Sequence, residues 1–140
     1  VEEMVVEMFS ISNGYGFCLS PNLGKVFFRV EDFRKLGTAE PQPILGESVL
    51  VGQIIFSEKS PKSFEVTRIK TPLLLTGEVK SFDSTKGWGF AESYTGLYFI
   101  HKSDFMESFI PIIGTDIQYY NGKKKGRKRA CYIKRSYNDR

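Results

Sequence analysis

Short runs of β-branched and aromatic residues, each cut off by turn chemistry, set the pattern along the chain. The breaks are Ser12-Asn13-Gly14, Ser20-Pro21-Asn22-Leu23-Gly24, Ser84-Thr85-Lys86-Gly87 and Asn121-Gly122. Between them the spacing predicts strands near 4–10, 15–20, 25–30, 48–56 and 63–69, then near 76–82, 88–93, 97–101, 115–120 and 129–135. Helix is scarce, with one turn expected in each of 30–36 and 103–109.

The two sets of strands are one pattern written twice. Asn13-Gly14-Tyr15-Gly16-Phe17 returns as Lys86-Gly87-Trp88-Gly89-Phe90, 73 residues on. Val6-Glu7-Met8-Phe9 returns as Val79-Lys80-Ser81-Phe82 at the same offset, and Val26-Phe27-Phe28-Arg29 as Tyr98-Phe99-Ile100-His101 at 72. Three blocks at nearly one offset mark an internal repeat. Five short strands per copy suit a small barrel, so the chain reads as all-β, two tandem five-stranded OB-type barrels.

The stretch 85–102, TKGWGFAESYTGLYFIHK, decides what the second copy can do. Successive side chains of a strand point to opposite faces. Trp88 and Phe90 therefore share one face and Gly89 and Ala91 the other. Phe99 and His101 likewise oppose Tyr98 and Ile100. A five-stranded barrel has a narrow interior filled by side chains of mixed size. Gly89, Ala91, Val79, Tyr98 and Ile100 fit there, whereas Trp88 and His101 fit poorly. A buried imidazole left without partners would also cost roughly 1–3 kcal/mol. The rings are expected to face outward, and nucleic-acid bases stack on such rings while lysines track the phosphates.

Charge sharpens this picture. Residues 1–70 carry eight Lys/Arg against nine Asp/Glu, whereas residues 71–140 carry twelve against seven. Much of the excess lies in GKKKGRKR at 122–129, expected as the loop joining the last two strands, where Lys124, Arg127 and Lys128 would meet phosphates. Other classes fall away. No apolar run approaches the roughly 20 residues of a membrane helix. Cys18, Cys131 and the lone His101 cannot assemble a zinc site, so no metal or cofactor is expected. With one histidine and no phosphate-cradling glycine loop, catalysis is not expected either. Reduced thiols and the absence of a signal segment point to an intracellular protein, cytoplasmic or nuclear.

GEVKSFDSTKGWGFAESYTGLYFIHKSDF, at 77–105, resembles the cold-shock domain, in which a G-x-V-K-W-F-N-x-x-K-G-F-G-F-I run is followed by V-F-V-H. The likeness implies an OB barrel that binds single-stranded RNA or DNA. It places the stacking rings at Phe82, Trp88, Phe90 and Phe99, the histidine of the second motif at His101, and basic positions at Lys80 and Lys86. Ser81 departs from the family tryptophan, and Lys102 replaces a common aromatic while adding a charge at the edge. On this reading 71–140 is a cold-shock domain with a basic loop between strands four and five. Residues 1–70 form a divergent copy that keeps Tyr15, Phe17 and Phe27 and substitutes Arg29 for the histidine.

Two functions compete on these residues. In the first, the chain grips single-stranded nucleic acid, RNA favoured over DNA, in the regulation of RNA after transcription. In the second it is a protein-docking or spacer module of a larger RNA-handling protein, with the first copy meeting a protein partner. The opening Val1 in place of Met suits a fragment of such a protein.

Overall fold

The structure, a computed structural model, describes residues 1–136. The chain divides into two compact units, Val1–Pro72 and Leu73–Arg140. The first holds β1 (Glu2–Ser10), β2 (Tyr15–Ser20), β3 (Gly24–Arg29), β4 (Phe33–Arg34), β5 (Ser48–Ile55) and β6 (Lys62–Arg68). The second holds β7 (Leu74–Asp83), β8 (Trp88–Ser93), β9 (Gly96–His101), β10 (Asp116–Lys124) and β11 (Arg127–Arg135). The single helical turns foreseen after β3 and β9 are 3-10 turns at Val30–Asp32 and Lys102–Asp104.

Each unit is a closed five-stranded barrel of OB type. In the second unit the order runs β7-β8-β9-β11-β10 and back to β7, every contact antiparallel except the Phe99–Arg129 bridge of β9 to β11. In the first unit β1-β2-β3-β6-β5 closes in the same order, again through one parallel bridge, Phe27 to Lys62. The two-residue β4 is an addition, pairing Phe33 with Val66 on β6.

The repeat extends to individual hydrogen bonds. Gly14 N–H donates to Ser10 O (2.8 Å) and Gly87 N–H to Asp83 O (2.6 Å). The two glycine carbonyls then accept from Val30 N–H (2.8 Å) and Lys102 N–H (2.9 Å). Both glycines have positive φ, 72° and 81°, which glycine adopts without Cβ strain. The first strand of each barrel bulges at matching places, between Val6 and Met8 and between Val79 and Ser81. A bulge bends its strand, as closing a small barrel requires. Opposite it the second strand runs so close that a Cβ on Gly16 would lie 2.3 Å from Met8 O, and one on Gly89 1.9 Å from Ser81 O.

Alternation fills both interiors. Met4, Val6, Cys18, Val26, Phe28, Val49, Val51 and Val66 build the first core. Leu75, Val79, Ala91, Tyr98, Ile100, Ile117, Tyr119 and Ile133 build the second. Tyr98 is admitted because its hydroxyl donates to Asn121 Oδ1 at 2.9 Å and meets Thr95 Oγ1 at 2.9 Å. Burial pushes the Cys18 thiol up to about 12, so it acts as a small apolar residue.

The 122–129 stretch is not the loop expected from its charge. β10 and β11 continue through it, pairing Lys123 with Lys128 and Lys124 with Arg127. Only Lys125 and Gly126 turn, at φ 50° and 80°. Positive φ at both central residues gives the turn whose twist matches a two-residue hairpin, which overrides the mutual repulsion of the flanking lysines.

The first unit also buries a cation. Arg68, at the end of β6, has no solvent-exposed side-chain surface. Its Nε and Nη2 donate to the Glu47 carboxylate at 2.8 Å each, and Nη1 and Nη2 donate to Pro41 O and Gln42 O at 2.9 Å each. Glu40 adds a 3.3 Å contact and the Phe33 ring lies 5.0 Å away. With the backbone bonds Val6 N–H to Glu47 O (3.0 Å) and Gly46 N–H to Val6 O (2.8 Å), this side chain ties the irregular 35–47 segment to the barrel.

Gly89→Ala is expected to cost about 3 kcal/mol in chemical denaturation, the upper range for overpacking, because the obstacle is backbone. Gly126→Ala, which meets nothing within 4 Å, is expected to cost only the roughly 1–2 kcal/mol of its left-handed φ. Arg68→Leu strands two carboxylates and is expected to destabilise the first unit by about 3–5 kcal/mol, read by hydrogen exchange at β5 and β6.

Candidate nucleic-acid interface

β8 and β9 pair with Trp88 across from His101 and Phe90 across from Phe99. Directly opposed residues share a face. Four rings therefore gather on one side while Gly89, Ala91, Tyr98 and Ile100 turn into the barrel. Trp88 is 37% exposed and Phe90, Phe99 and His101 are half-buried. Trp88 stands edge-on to Phe90 (6.1 Å between centroids) and tilted to Phe99 (5.8 Å), with His101 6.2 Å beyond Phe99. Their contacts with one another hold the rings in place and leave surface for a ligand.

His101 has a fixed orientation. Its Nδ1 accepts from Ser103 N–H at 3.0 Å, with the Ser103 hydroxyl 2.8 Å away. In the neutral ring the proton then sits on Nε2, the remaining donor.

Phe82 belongs to a different stack. It packs on Phe105 (5.8 Å), which packs nearly parallel on Phe109 (4.9 Å, 13°). These three rings floor an open groove edged by Lys102, Met106 and Ile110.

The lysines divide. Lys86 is exposed beside Trp88, on a turn held by two backbone donations, from Thr85 and Lys86, to Asp83 Oδ1 at 2.9 Å each. Lys102 is exposed with its stem laid over Gly87. Lys80 is instead bound to Glu78 at 2.6 Å, with Glu92 at 3.9 Å, and that hydrogen bond holds its ammonium above the ordinary lysine range. Lys128 donates to Thr95 O and lies 5.6 Å over the Tyr98 ring, at the β8–β9 hairpin. Arg127 is exposed and Lys124 half-buried on the β10–β11 hairpin.

Comparison with known proteins adds little. No family model matches the sequence, and no curated protein matches it. A solved structure described as "drosophila Unr CSD456" is similar at 16% identity and a TM-score of 0.39, over 98% of this chain. This chain spans 63% of that one's length.

Sequence reasoning missed Arg129. Its guanidinium lies 5.5 Å over Phe99 and binds Asp104, with Nε and Nη2 each 2.9 Å from Oδ2. Burial pushes the Asp104 carboxyl above its ordinary range, and Arg129 partly opposes the shift. The first unit pairs the matching carboxylate differently. Asp32 takes Arg29 through Nε–Oδ2 at 2.9 Å and Nη2–Oδ1 at 3.2 Å. That hydrogen bond holds the Asp32 carboxyl below its ordinary range.

The first-copy residues also face outward. Tyr15 is 40% exposed, Phe17 and Phe27 are half-buried 5.3 Å apart, and Arg29 is exposed. Lys25 lies 4.7 Å over Phe17, and Phe64, on β6, lies 5.6 Å under Arg29. Neither Lys25 nor Phe64 is legible from the repeat, since each joins the cluster only through strand pairing.

A depressed carboxyl contributes stability that is present above its ordinary value, 3.8 for Asp32, and lost as the pH falls through its folded value. Asp32→Asn is therefore expected to lower the stability of the first unit near pH 7, with the loss shrinking as the pH is taken below 3.8, measured by urea denaturation across that range.

Proposed function

We propose that the second unit binds single-stranded nucleic acid by stacking bases on Trp88, Phe90, Phe99 and His101, with Lys86 and Lys102 meeting phosphates. The observation that carries this reading is the outward ring cluster above a complete interior. The core is closed by Tyr98 and Ile100 without those rings, so folding alone gives no reason for a solvent-facing indole and imidazole. Each base stacked on such a ring is worth about 1–3 kcal/mol by alanine substitution. Lys124 and Arg127 on the β10–β11 hairpin add charge for a longer strand. Lys80 and Lys128, already engaged by protein groups, contribute less.

RNA is favoured over DNA, in keeping with the cold-shock likeness of 77–105, and the role that follows is regulation of RNA after transcription inside the cell, without chemistry on the ligand. The first unit, with Tyr15, Phe17, Phe27 and Arg29 on its matching face, makes weaker contacts. Arg29 is already held by Asp32 and Glu31, which lowers its pull on phosphate.

Trp88 is the one tryptophan in the chain, so its fluorescence reports this face directly. Titration with a single-stranded oligonucleotide at moderate salt is expected to quench it. Trp88→Ala and Phe99→Ala, followed by fluorescence anisotropy of a labelled oligomer, are expected to weaken binding by about 1–3 kcal/mol each while circular dichroism stays unchanged. Replacing Lys86 and Lys102 by Ala is expected to flatten the salt dependence by about 0.7 per lost phosphate contact. Wild-type affinity in both ring variants would refute the platform.

A further inference from the structure

We propose that Arg129, oriented by Asp104, makes the ring cluster select guanine, an inference that rests on the nucleic-acid reading above. The Phe99–Arg129 bridge that closes the barrel sets the arginine beside the platform. Asp104, in the turn after β9, takes the Nε–H and one Nη2–H with a single oxygen. Asp104 therefore leaves the Nη1–Nη2 end of the guanidinium facing away, and no other partner meets it among the described residues. Both side chains are partly open, 22% for Arg129 and 18% for Asp104.

The guanidinium carbon lies 5.5 Å from the Phe99 centroid, so a base stacked on the ring cluster comes within reach of the guanidinium. Two parallel donors on a planar fork match two adjacent acceptors. Guanine offers O6 and N7 along one edge, whereas adenine places a donor beside N7 and uracil has no such pair. A bidentate pair of this kind discriminates by about 1–3 kcal/mol. Phosphate could also take the fork, but that contact would be blind to the base.

Asp104 acts here as a positioning residue. Without it the guanidinium keeps its charge and loses its fixed plane. A lysine at 129 would keep charge without a fork.

The test uses the full chain and four seven-nucleotide oligouridylates, each carrying one central guanosine, inosine, 7-deazaguanosine or adenosine. Guanosine and inosine, which share O6 and N7, are expected to bind about tenfold tighter than the other two. Arg129→Lys and Asp104→Asn are each expected to cut that preference below about twofold, leaving affinity for the adenosine oligomer within about twofold of wild type. The four-oligomer series on the wild-type chain is decisive even if a variant does not fold. Equal binding of all four would overturn this proposal alone, as would an Arg129→Lys variant that weakens all four alike. Binding of none would overturn the stacking platform too.

Discussion

In each barrel a glycine lies hard against a backbone carbonyl of the facing strand, and much else depends on it. Gly16 faces Met8 O and Gly89 faces Ser81 O at distances that exclude any side chain. The approach sits where the first strand bulges, so the strand can bend and the sheet can close. It also fixes which way the neighbours point. With Gly89 turned inward, Trp88 and Phe90 must turn outward, and the ring cluster results from how the barrel closes. Tyr15 and Phe17 flank Gly16 in the same way.

Beyond that shared frame the units part in how they spend their charges. Both place an aspartate in the turn after the third strand. In the first unit the nearest cation, Arg29, occupies the position of the ring-face histidine and is consumed by Asp32. In the second unit the cation, Arg129, arrives from β11, and His101 stays among the rings. The matching carboxylate thus binds a cation of the preceding strand in one unit and of a distant strand in the other.

Much of this was legible in the sequence because it is local. The repeat, the turn glycines and the alternation of Trp88-Gly89-Phe90-Ala91 located nine strands within about two residues of their ends. The outward orientation of the four rings followed from strand alternation, the narrow interior and the cost of burying an imidazole. The charge of 122–129 misled, since six cations read as a solvated loop while Lys125-Gly126 form a turn tight enough to carry both strands through them. Lys80 misled in a related way. Its carboxylate partner Glu78 lies two residues away on the same strand, and Glu92 pairs with Glu78 across the sheet. Arg129, Phe64 and the burial of Arg68 depend on contacts between distant strands, and no pattern along the chain encodes those.

The burial of Arg68 bears on the order in which the first unit assembles. Glu40 and Glu47 precede it by more than twenty positions, and β6 is the last strand of the barrel. Until that strand is synthesised the two carboxylates have no counter-ion and the carbonyls of Pro41 and Gln42 no donor. The 35–47 segment and β6 therefore complete each other's polar groups across a long stretch of chain, the kind of non-local pairing that slows folding.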